Sequence, residues 1–147
     1  LLADYRRAEK ATGTPWEYLA AVNLVETRMG RIRGTSTAGA QGPMQFLPTT
    51  FELYSRGGDI NDPADAIMAA GRMLAHNGAP KDLAGALWSY NQSRRYGKAV
   101  TIYAEQMRRS PAAYELYWHW QVIYSARTGS MLLPEGYPQA KAQRVAP

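Results

Sequence analysis

The chain has 147 residues, with 17 lysines and arginines against 12 aspartates and glutamates, a formal net charge of +5 and no cysteine. This length predicts one domain of ordinary size, and the lack of cysteine excludes disulfide and zinc–thiolate scaffolds. Hydrophobic residues make up 46% and charged residues 20% of the chain, which provides a core and excludes a disordered protein. The basic balance favours an anionic partner: nucleic acid, anionic lipid or an acidic wall polymer.

No apolar run approaches the roughly 18 residues that a membrane helix needs, so we expect no stable membrane insertion. The first seven residues lack the basic-then-apolar pattern of a secretory signal. A cleaved signal would leave no trace, and the compartment therefore stays open at this point.

Helix start and stop signals recur along the chain, and almost nothing alternates with the strand period of two, so the sequence predicts an all-α domain. The clearest start is Thr-Pro-Trp-Glu at 14–17. Here Thr14 is the expected N-cap, Pro15 takes the first helical position, and a glutamate follows three residues after the cap. This helix is predicted to run to about Met29 and to stop at Gly30.

N-cap residues mark four later helix starts: Thr49 with Glu52, Asp62 with Pro63, Asp82 before Leu83–Tyr90, and Ser110 with Pro111. The predicted stops are Asn77-Gly78 and Thr128-Gly129. The connection from Gly30 to Gly42 shows neither the helical nor the strand periodicity of apolar residues. A loop of this length is usually functional or disordered.

The expected organisation is a single domain over residues 1–147. Its motif-bearing core spans about 14–107, an aromatic helix follows over 108–129, and an extended tail occupies 130–147. Proline spacing keeps the tail extended, and its end from Gln139 is expected to fray.

One glutamate lies on the apolar face of its helix. At about 100° per residue, Leu19, Val22 and Met29 fall within roughly 60° of Glu26. Burial and the negative end of the helix dipole both raise the pKa of such a carboxyl, which is what a general acid needs near neutral pH. The alternative is that Glu26 lies at the edge of this apolar face and forms an ion pair with Arg28, Arg31 or Arg33, just beyond the helix.

Three motifs occur in order along the chain: Glu-Thr-Arg-Met-Gly at 26–30, Ser-Thr-Ala-Gly-Ala-Gln-Gly-Pro-Met-Gln-Phe-Leu-Pro at 36–48, and Trp-Ser-Tyr-Asn-Gln at 88–92. Together they resemble the motifs of the soluble lytic transglycosylase family, over about Thr14 to Met107. The resemblance implies the all-α fold of goose-type lysozyme and a cleft for the glycan strands of peptidoglycan.

The resemblance also implies roles for residues. Glu26 would be the catalytic acid, and Ser36 would contact the sugar beside the cleaved bond. Gln45, with Met44 and Leu47 around it, would line the floor of the cleft.

Three further residues complete the implied site. Gly42 would allow a close backbone approach. Tyr90 would form a hydrogen bond near Glu26 or the acetamido group, and Asn91 would hold the local turn or the glutamate's loop. The fourth family motif, a Glu-Thr pair followed shortly by tyrosine, has only one candidate, Glu115 with Tyr114 or Tyr117.

The implied reaction cleaves the β-1,4 bond between N-acetylmuramic acid and N-acetylglucosamine and leaves a 1,6-anhydromuramic end. A first alternative is a hydrolytic muramidase in which Asp59, Asp62 or Asp65 activates water. A second alternative is a non-catalytic domain that binds the cell wall or acts as a scaffold. Intact Glu26 and Gln45 favour an enzyme.

Other features have ordinary explanations. The aspartates at 59–65 are typical of turns and caps rather than a calcium loop, and His76 and His119 have no partner at metal-ligand spacing. We therefore expect no cofactor and no metal. The aromatic run 114–124 is expected to pack in the core, at least in part; an extension of the cleft wall by the remaining rings is the alternative.

The remaining expectations concern partners and location. A basic cluster is either a solvated face or a surface attracted to the anionic wall; it comprises Arg94, Arg95, Lys98, Arg108 and Arg109. No motif that docks in a nucleic-acid groove is present, so we expect no nucleic-acid partner. We expect a monomer that acts outside the cytoplasm, secreted or associated with the cell wall. High arginine and alanine use and the segment 59–67 fit an actinobacterial source.

Overall fold

The structure is a computed structural model that describes residues 1–145. Its helices are α1 (Leu2–Thr12), α2 (Trp16–Thr27), α3 (Pro48–Ser55), α4 (Pro63–His76), α5 (Leu83–Tyr90), α6 (Arg94–Arg109) and α7 (Pro111–Trp118). Its strands are β1 (Val122–Ala126), β2 (Gly129–Leu133) and β3 (Gln143–Arg144), paired antiparallel in the order β1-β2-β3. None of the helices in this range is long and apolar enough to cross a membrane.

Helix α2 forms the centre of the helical part. Every residue from Tyr18 to Leu24 is buried, so α2 is enclosed on all sides. It packs against α1, α4 and α6, while α3 and α5 pack against α4. This arrangement places the C-terminal turn of α2, which carries Glu26, beside α6.

The predicted cap at Thr14 is wrong. Helix α2 begins at Trp16, and the Thr14 hydroxyl donates to the Gly71 carbonyl of α4 at 3.0 Å. Thr14 is fully buried, and a buried hydroxyl that satisfies a distant carbonyl is not available for the helix next to it. The helix also ends earlier than predicted, at Thr27, because Arg28 already has a left-handed backbone.

The later helix starts have mixed outcomes. Asp62 caps α4 by accepting from the Asp65 amide at 3.0 Å, and Asp82 caps α5 by accepting from the Gly85 amide at 2.8 Å. The capping box at Thr49 is wrong, since α3 begins one residue earlier, at Pro48.

The C-terminal part corrects the all-α prediction. The aromatic helix ends at Trp118 instead of at Gly129, and a β-hairpin follows in which Ala126 pairs with Gly129. Residues 122–124 are Val-Ile-Tyr, whose branched and aromatic side chains favour a strand over a helix. The fold is therefore mostly helical with a small three-stranded sheet among the described residues.

The described part of the predicted tail, residues 130–145, is docked rather than frayed. The Gly136 amide donates to the Arg31 carbonyl and the Arg33 amide donates to the Tyr137 carbonyl, both at 2.7 Å. β3 adds to the sheet by pairing with β2. Residues 146–147 of the predicted tail lie outside the described residues. The segment 110–145, here named the C-terminal segment, thus lies against the loop that follows Glu26.

The side-chain cap that Asp62 forms at the start of α4 provides a test of this local structure. Asp62→Ala should lower the free energy of unfolding by about 0.5–2 kcal/mol, because it removes the acceptor for the Asp65 amide. Ser110→Ala is the matched control, since Ser110 precedes α7 without a side-chain capping bond. Denaturant unfolding measures both. An equal loss in the two variants would contradict the capping assignment.

Candidate active site

The carboxyl group of Glu26 lies in the last turn of α2 and is half-buried. Val22 and Leu19, which precede it on the same face, are fully buried. Burial raises the pKa of the Glu26 carboxyl from 4.5 to about 6, because the charged form loses hydration. The nearby Tyr96 hydroxyl acts in the opposite direction and lowers this pKa in part. The carboxyl is therefore partly protonated near neutral pH.

None of the three candidate arginines forms an ion pair with Glu26 in the described part of the chain. The Arg28 guanidinium lies over the Trp120 ring at 4.6 Å, and the Arg31 guanidinium lies over the Trp118 ring at 4.6 Å. Arg33 pairs with Glu135 of the C-terminal segment at 3.5 Å. The ion-paired alternative for Glu26 is therefore not what the structure contains.

Two tyrosines face Glu26 from α5 and α6. Burial, and then the Glu26 charge, raise the pKa of both Tyr90 and Tyr96, so both hydroxyls stay protonated. Their rings stack, with centroids 6.4 Å apart and planes 5° from parallel. The Tyr90 hydroxyl donates to the Met44 carbonyl at 2.7 Å, which joins α5 to the 36–48 motif.

Tyr96 lies beside Glu26 and was not among the site residues predicted from the sequence. Its hydroxyl is buried and makes no hydrogen bond of normal geometry within residues 1–145, although it lies near enough to Glu26 to affect its pKa. A signal was present in Ser93, a helix-capping residue three positions before Tyr96. Ser93 caps α6 by accepting from the Tyr96 amide, which fixes the tyrosine in the first turn.

The residues suggested for that motif lie elsewhere. Tyr114 is buried, and its ring packs edge-on against Tyr5 and Trp16. The Tyr117 ring contacts Tyr103 of α6. The aromatic run therefore lies partly in the core, and its contacts here do not supply a partner for Glu26. That its exposed rings extend the cleft wall stays a prediction.

The turn after Glu26 has an unusual backbone. Arg28, Met29 and Gly30 have φ values of 54°, 58° and 80°, three successive residues in the left-handed region. The Thr27 hydroxyl stabilises this turn by donating to the Pro43 carbonyl at 2.6 Å and accepting from the Gly30 amide at 2.9 Å. Thr27, which stands where the family often has serine, thus ties the two first motifs together.

Gln45 and Gly42 form a tight turn in the second motif. Gln45 has a φ of 50°, and its Nε2 donates to the Gly42 carbonyl at 3.0 Å. Gly42 has a φ of 72°, and a Cβ there would lie 1.9 Å from the Ile60 carbonyl oxygen. The close approach that requires glycine is therefore made by the chain's own backbone at Ile60.

Met44 and Leu47, both predicted to lie around Gln45 at the floor of the cleft, differ in burial. The Met44 side chain is fully buried, and its sulfur accepts from Asn23 Nδ2 at 3.0 Å, so it supports the turn from below and does not face a substrate. Leu47 is 45% exposed and can contact one.

Ser36 and Asn91 lie in local turns. The Ser36 hydroxyl is partly exposed and accepts from the Ala40 amide at 3.0 Å. Asn91 is exposed and ends α5, with its amide donating to the Leu87 carbonyl at 3.0 Å. That bond is made by the backbone, so the role of the Asn91 side chain stays a prediction.

The three aspartates suggested as water-activating bases each accept a hydrogen bond from a backbone amide within the segment 59–65. Asp62 caps α4, Asp65 accepts from the Asp59 amide at 2.9 Å, and Asp59 accepts from the Asn61 amide at 2.8 Å. No second carboxylate of the described residues contributes to the raised pKa of Glu26. Across residues 1–145 no group of three or more acidic or histidine side chains could hold a metal ion.

Two cavities border the loop after Glu26. Glu26 is not one of the described residues that line them. A cavity of about 770 Å³ lies beside Met29, Gly34 and Gly42. A second, of about 280 Å³, lies between Arg28 and the C-terminal segment.

Comparison with known proteins gives one match. The sequence pattern of the transglycosylase SLT domain matches residues 5–109, which covers most of α1 and every element through the last residue of α6. The C-terminal segment lies outside this match. No curated protein and no solved structure matches the chain.

The raised pKa of Glu26 predicts a pH-dependent effect on stability. Between pH 4.5 and about 6 the Glu26 carboxyl holds its proton more tightly in the folded protein than in the unfolded chain. The free energy of unfolding therefore falls as the pH rises through this window. Glu26→Gln should therefore raise the free energy of unfolding by up to about 2 kcal/mol at pH 8 and by little at pH 4.

Denaturant unfolding at the two pH values measures this effect. Glu52→Gln, at an exposed position of α3, serves as the control and should show no such difference. A stability gain for Glu26→Gln that is the same at pH 4 and pH 8 would contradict burial as the cause.

Proposed function

The chain belongs to the transglycosylase SLT domain family, and on this basis we propose that it is a peptidoglycan lytic transglycosylase. It cleaves the β-1,4 bond between N-acetylmuramic acid and N-acetylglucosamine and leaves a 1,6-anhydromuramic end. The observation that carries this proposal is Glu26, a half-buried carboxyl with a pKa of about 6 beside two protonated tyrosines.

In the first step Glu26 acts as the general acid. It donates its proton to the glycosidic oxygen as the bond from that oxygen to C1 of the muramic residue breaks. The acetamido group of the same residue supports the positive charge at C1, a substrate-assisted route that requires no protein nucleophile.

In the second step the ionised Glu26 acts as the base. It takes the proton from the 6-hydroxyl of the muramic residue, whose oxygen forms a bond with C1 and closes the anhydro ring. This restores the protonated Glu26, and no water is consumed. One carboxyl group is sufficient for both steps.

The aspartates support ring closure over hydrolysis. A hydrolytic enzyme of this type needs a second carboxylate to activate water, but Asp59, Asp62 and Asp65 are occupied by backbone amides at the start of α4. None of these three aspartates is therefore an evident base for activating water in the muramidase alternative.

The other motif residues orient the substrate in this proposal. Gln45, Ser36 and Leu47 contact the sugars, and Asn91 holds the turn beside Tyr90. Gly42 and Met44 act indirectly, because they shape the turn that carries Gln45. We keep Glu26 as the catalytic residue and propose no cofactor.

The wider setting follows from the substrate. An enzyme of peptidoglycan acts outside the cytoplasm, and a basic surface is attracted to an anionic wall. The side chains of this surface, at 94, 95, 98, 108 and 109, are all exposed. We propose that the protein acts there as a monomer.

The chemistry of the product ends tests the proposed reaction. Digestion of purified peptidoglycan should give muramic ends lighter by one water in mass spectrometry, without new reducing ends on borohydride labelling. Glu26→Gln should lower the rate by at least the roughly 10²–10⁴-fold typical of general acid–base catalysis. Hydrated, reducible ends as the main product would support the muramidase, and binding without cleavage would support a scaffold domain.

The pH profile tests the role of Tyr96. For the wild type, kcat/KM should fall as the pH rises through about 6, where Glu26 loses the proton that it donates. Because the Tyr96 hydroxyl lowers the pKa of Glu26, Tyr96→Phe should move this limb of the profile to higher pH.

Tyr5→Phe is the matched control for that variant. Its hydroxyl is likewise buried without a hydrogen-bond partner in residues 1–145, but its pKa responds to burial, Tyr114 and Asp4 and not to Glu26. Its pH profile should equal that of the wild type. A limb that moves equally in both variants, or moves to lower pH in Tyr96→Phe, would contradict the role of Tyr96.

A further inference from the structure

A cavity of about 280 Å³ separates the loop after Glu26 from the C-terminal segment. Arg28 and Arg31 line it from the loop, and His119, Trp120 and Glu135 are among the residues that line it from the other side. The lining from 119 to 135 lies outside the family match, so this cavity belongs to the part of the chain that the family pattern does not describe.

The cavity presents two guanidinium groups that have no carboxylate partner within the described residues. Arg28 and Arg31 stack on Trp120 and Trp118 through their faces. Stacking leaves the N–H groups at the edge of a guanidinium available for an acceptor. Arg31 Nη1 is buried and finds no hydrogen-bond partner in residues 1–145. A buried charged donor without an acceptor is unfavourable, so Arg31 keeps an unneutralised charge beside the cavity.

The acidic residue in the lining does not cancel this charge. Glu135 pairs with Arg33, which is not part of the lining, and both side chains are exposed. His119 is also exposed. The two arginines therefore give the cavity a positive balance, with an aromatic wall at Trp120.

One arginine of the cavity lining follows the catalytic glutamate closely in the chain. Arg28 follows Glu26 by two residues, and consecutive Cα atoms are 3.8 Å apart, so their Cα atoms are separated by at most about 7.6 Å. The cavity volume of about 280 Å³ lies just below the range for small-molecule sites, roughly 300–1,000 Å³. A substituent of one or two amino-acid residues beside the cleaved bond fits this volume better than further sugars of the glycan strand do.

In peptidoglycan the anionic group nearest to the cleaved bond is carried by the muramic residue, as the peptide stem with its carboxylates. We propose that the cavity binds a carboxylate of this stem, with Arg28 and Arg31 as its ligands, and that the C-terminal segment thereby gives the enzyme a preference for strands with anionic stems. This inference rests on the proposed function of the same site.

The test compares two forms of one substrate. Solubilised glycan strands with intact stems are used as such, or after carbodiimide-coupled amidation with ammonia, which converts the stem carboxylates to neutral amides. The wild type should have a kcat/KM about tenfold or more higher on the anionic form, as expected for a charge-assisted hydrogen bond. Arg28→Gln should bring the ratio of the two kcat/KM values close to one, and Arg28→Lys should retain part of it.

Arg127→Gln is the matched control, because Arg127 is an exposed arginine of the C-terminal segment, between β1 and β2, outside the cavity lining. It should keep the wild-type ratio. A wild-type ratio near one, or an Arg28→Gln variant that loses rate but keeps the ratio, would overturn the inference.

Failure of the proposed function would be distinguishable. If the wild type cleaves neither form, equilibrium binding of both forms to the Glu26→Gln protein tests the cavity alone. Tighter binding of the anionic strands, lost in the double variant with Arg28→Gln, would support the inference without catalysis. Equal binding of the two forms would overturn it.

Discussion

The burial of one carboxyl group is the constraint on which the rest of the site depends. Helix α2 is enclosed by its neighbours, and Glu26 in its last turn loses enough hydration to raise its pKa to about 6. Tyr96 moderates that shift, while Tyr90 and Tyr96 both remain protonated beside the carboxyl. A more exposed carboxyl would be ionised at neutral pH, and one without the tyrosine hydroxyl would hold its proton more tightly.

Two layers hold the turn that follows Glu26. On the inner side Thr27 links the turn to Pro43, so one side chain joins the first motif to the second. On the outer side Arg28 and Arg31 stack on aromatic rings of the C-terminal segment, which also makes two backbone hydrogen bonds with the loop. The arginines that are available to neutralise Glu26 in the sequence are thus drawn away from it, and its pKa stays high.

The sequence predicted what depends on local patterns and missed what depends on distant contacts. The apolar position of Glu26 and the cap at Asp62 follow from helical spacing and from capping chemistry, and both are present. The Thr14 hydroxyl bonds to a carbonyl 57 residues away, which no local rule describes. Met44 occupies the expected motif but lies beneath it, and Tyr96 came within reach of Glu26 only through the packing of α6 on α2.

The account is tested most directly by the titration of the Glu26 carboxyl itself. Carbon-13 NMR of the side-chain carboxyls, with Glu26→Gln used to assign the resonance, measures its pKa in the folded protein without substrate. The account predicts a midpoint of about 6, well above the ordinary value of 4.5. A midpoint at or below 4.5 would mean that Glu26 is ionised whenever the protein is near neutral pH, and would contradict its role as the acid.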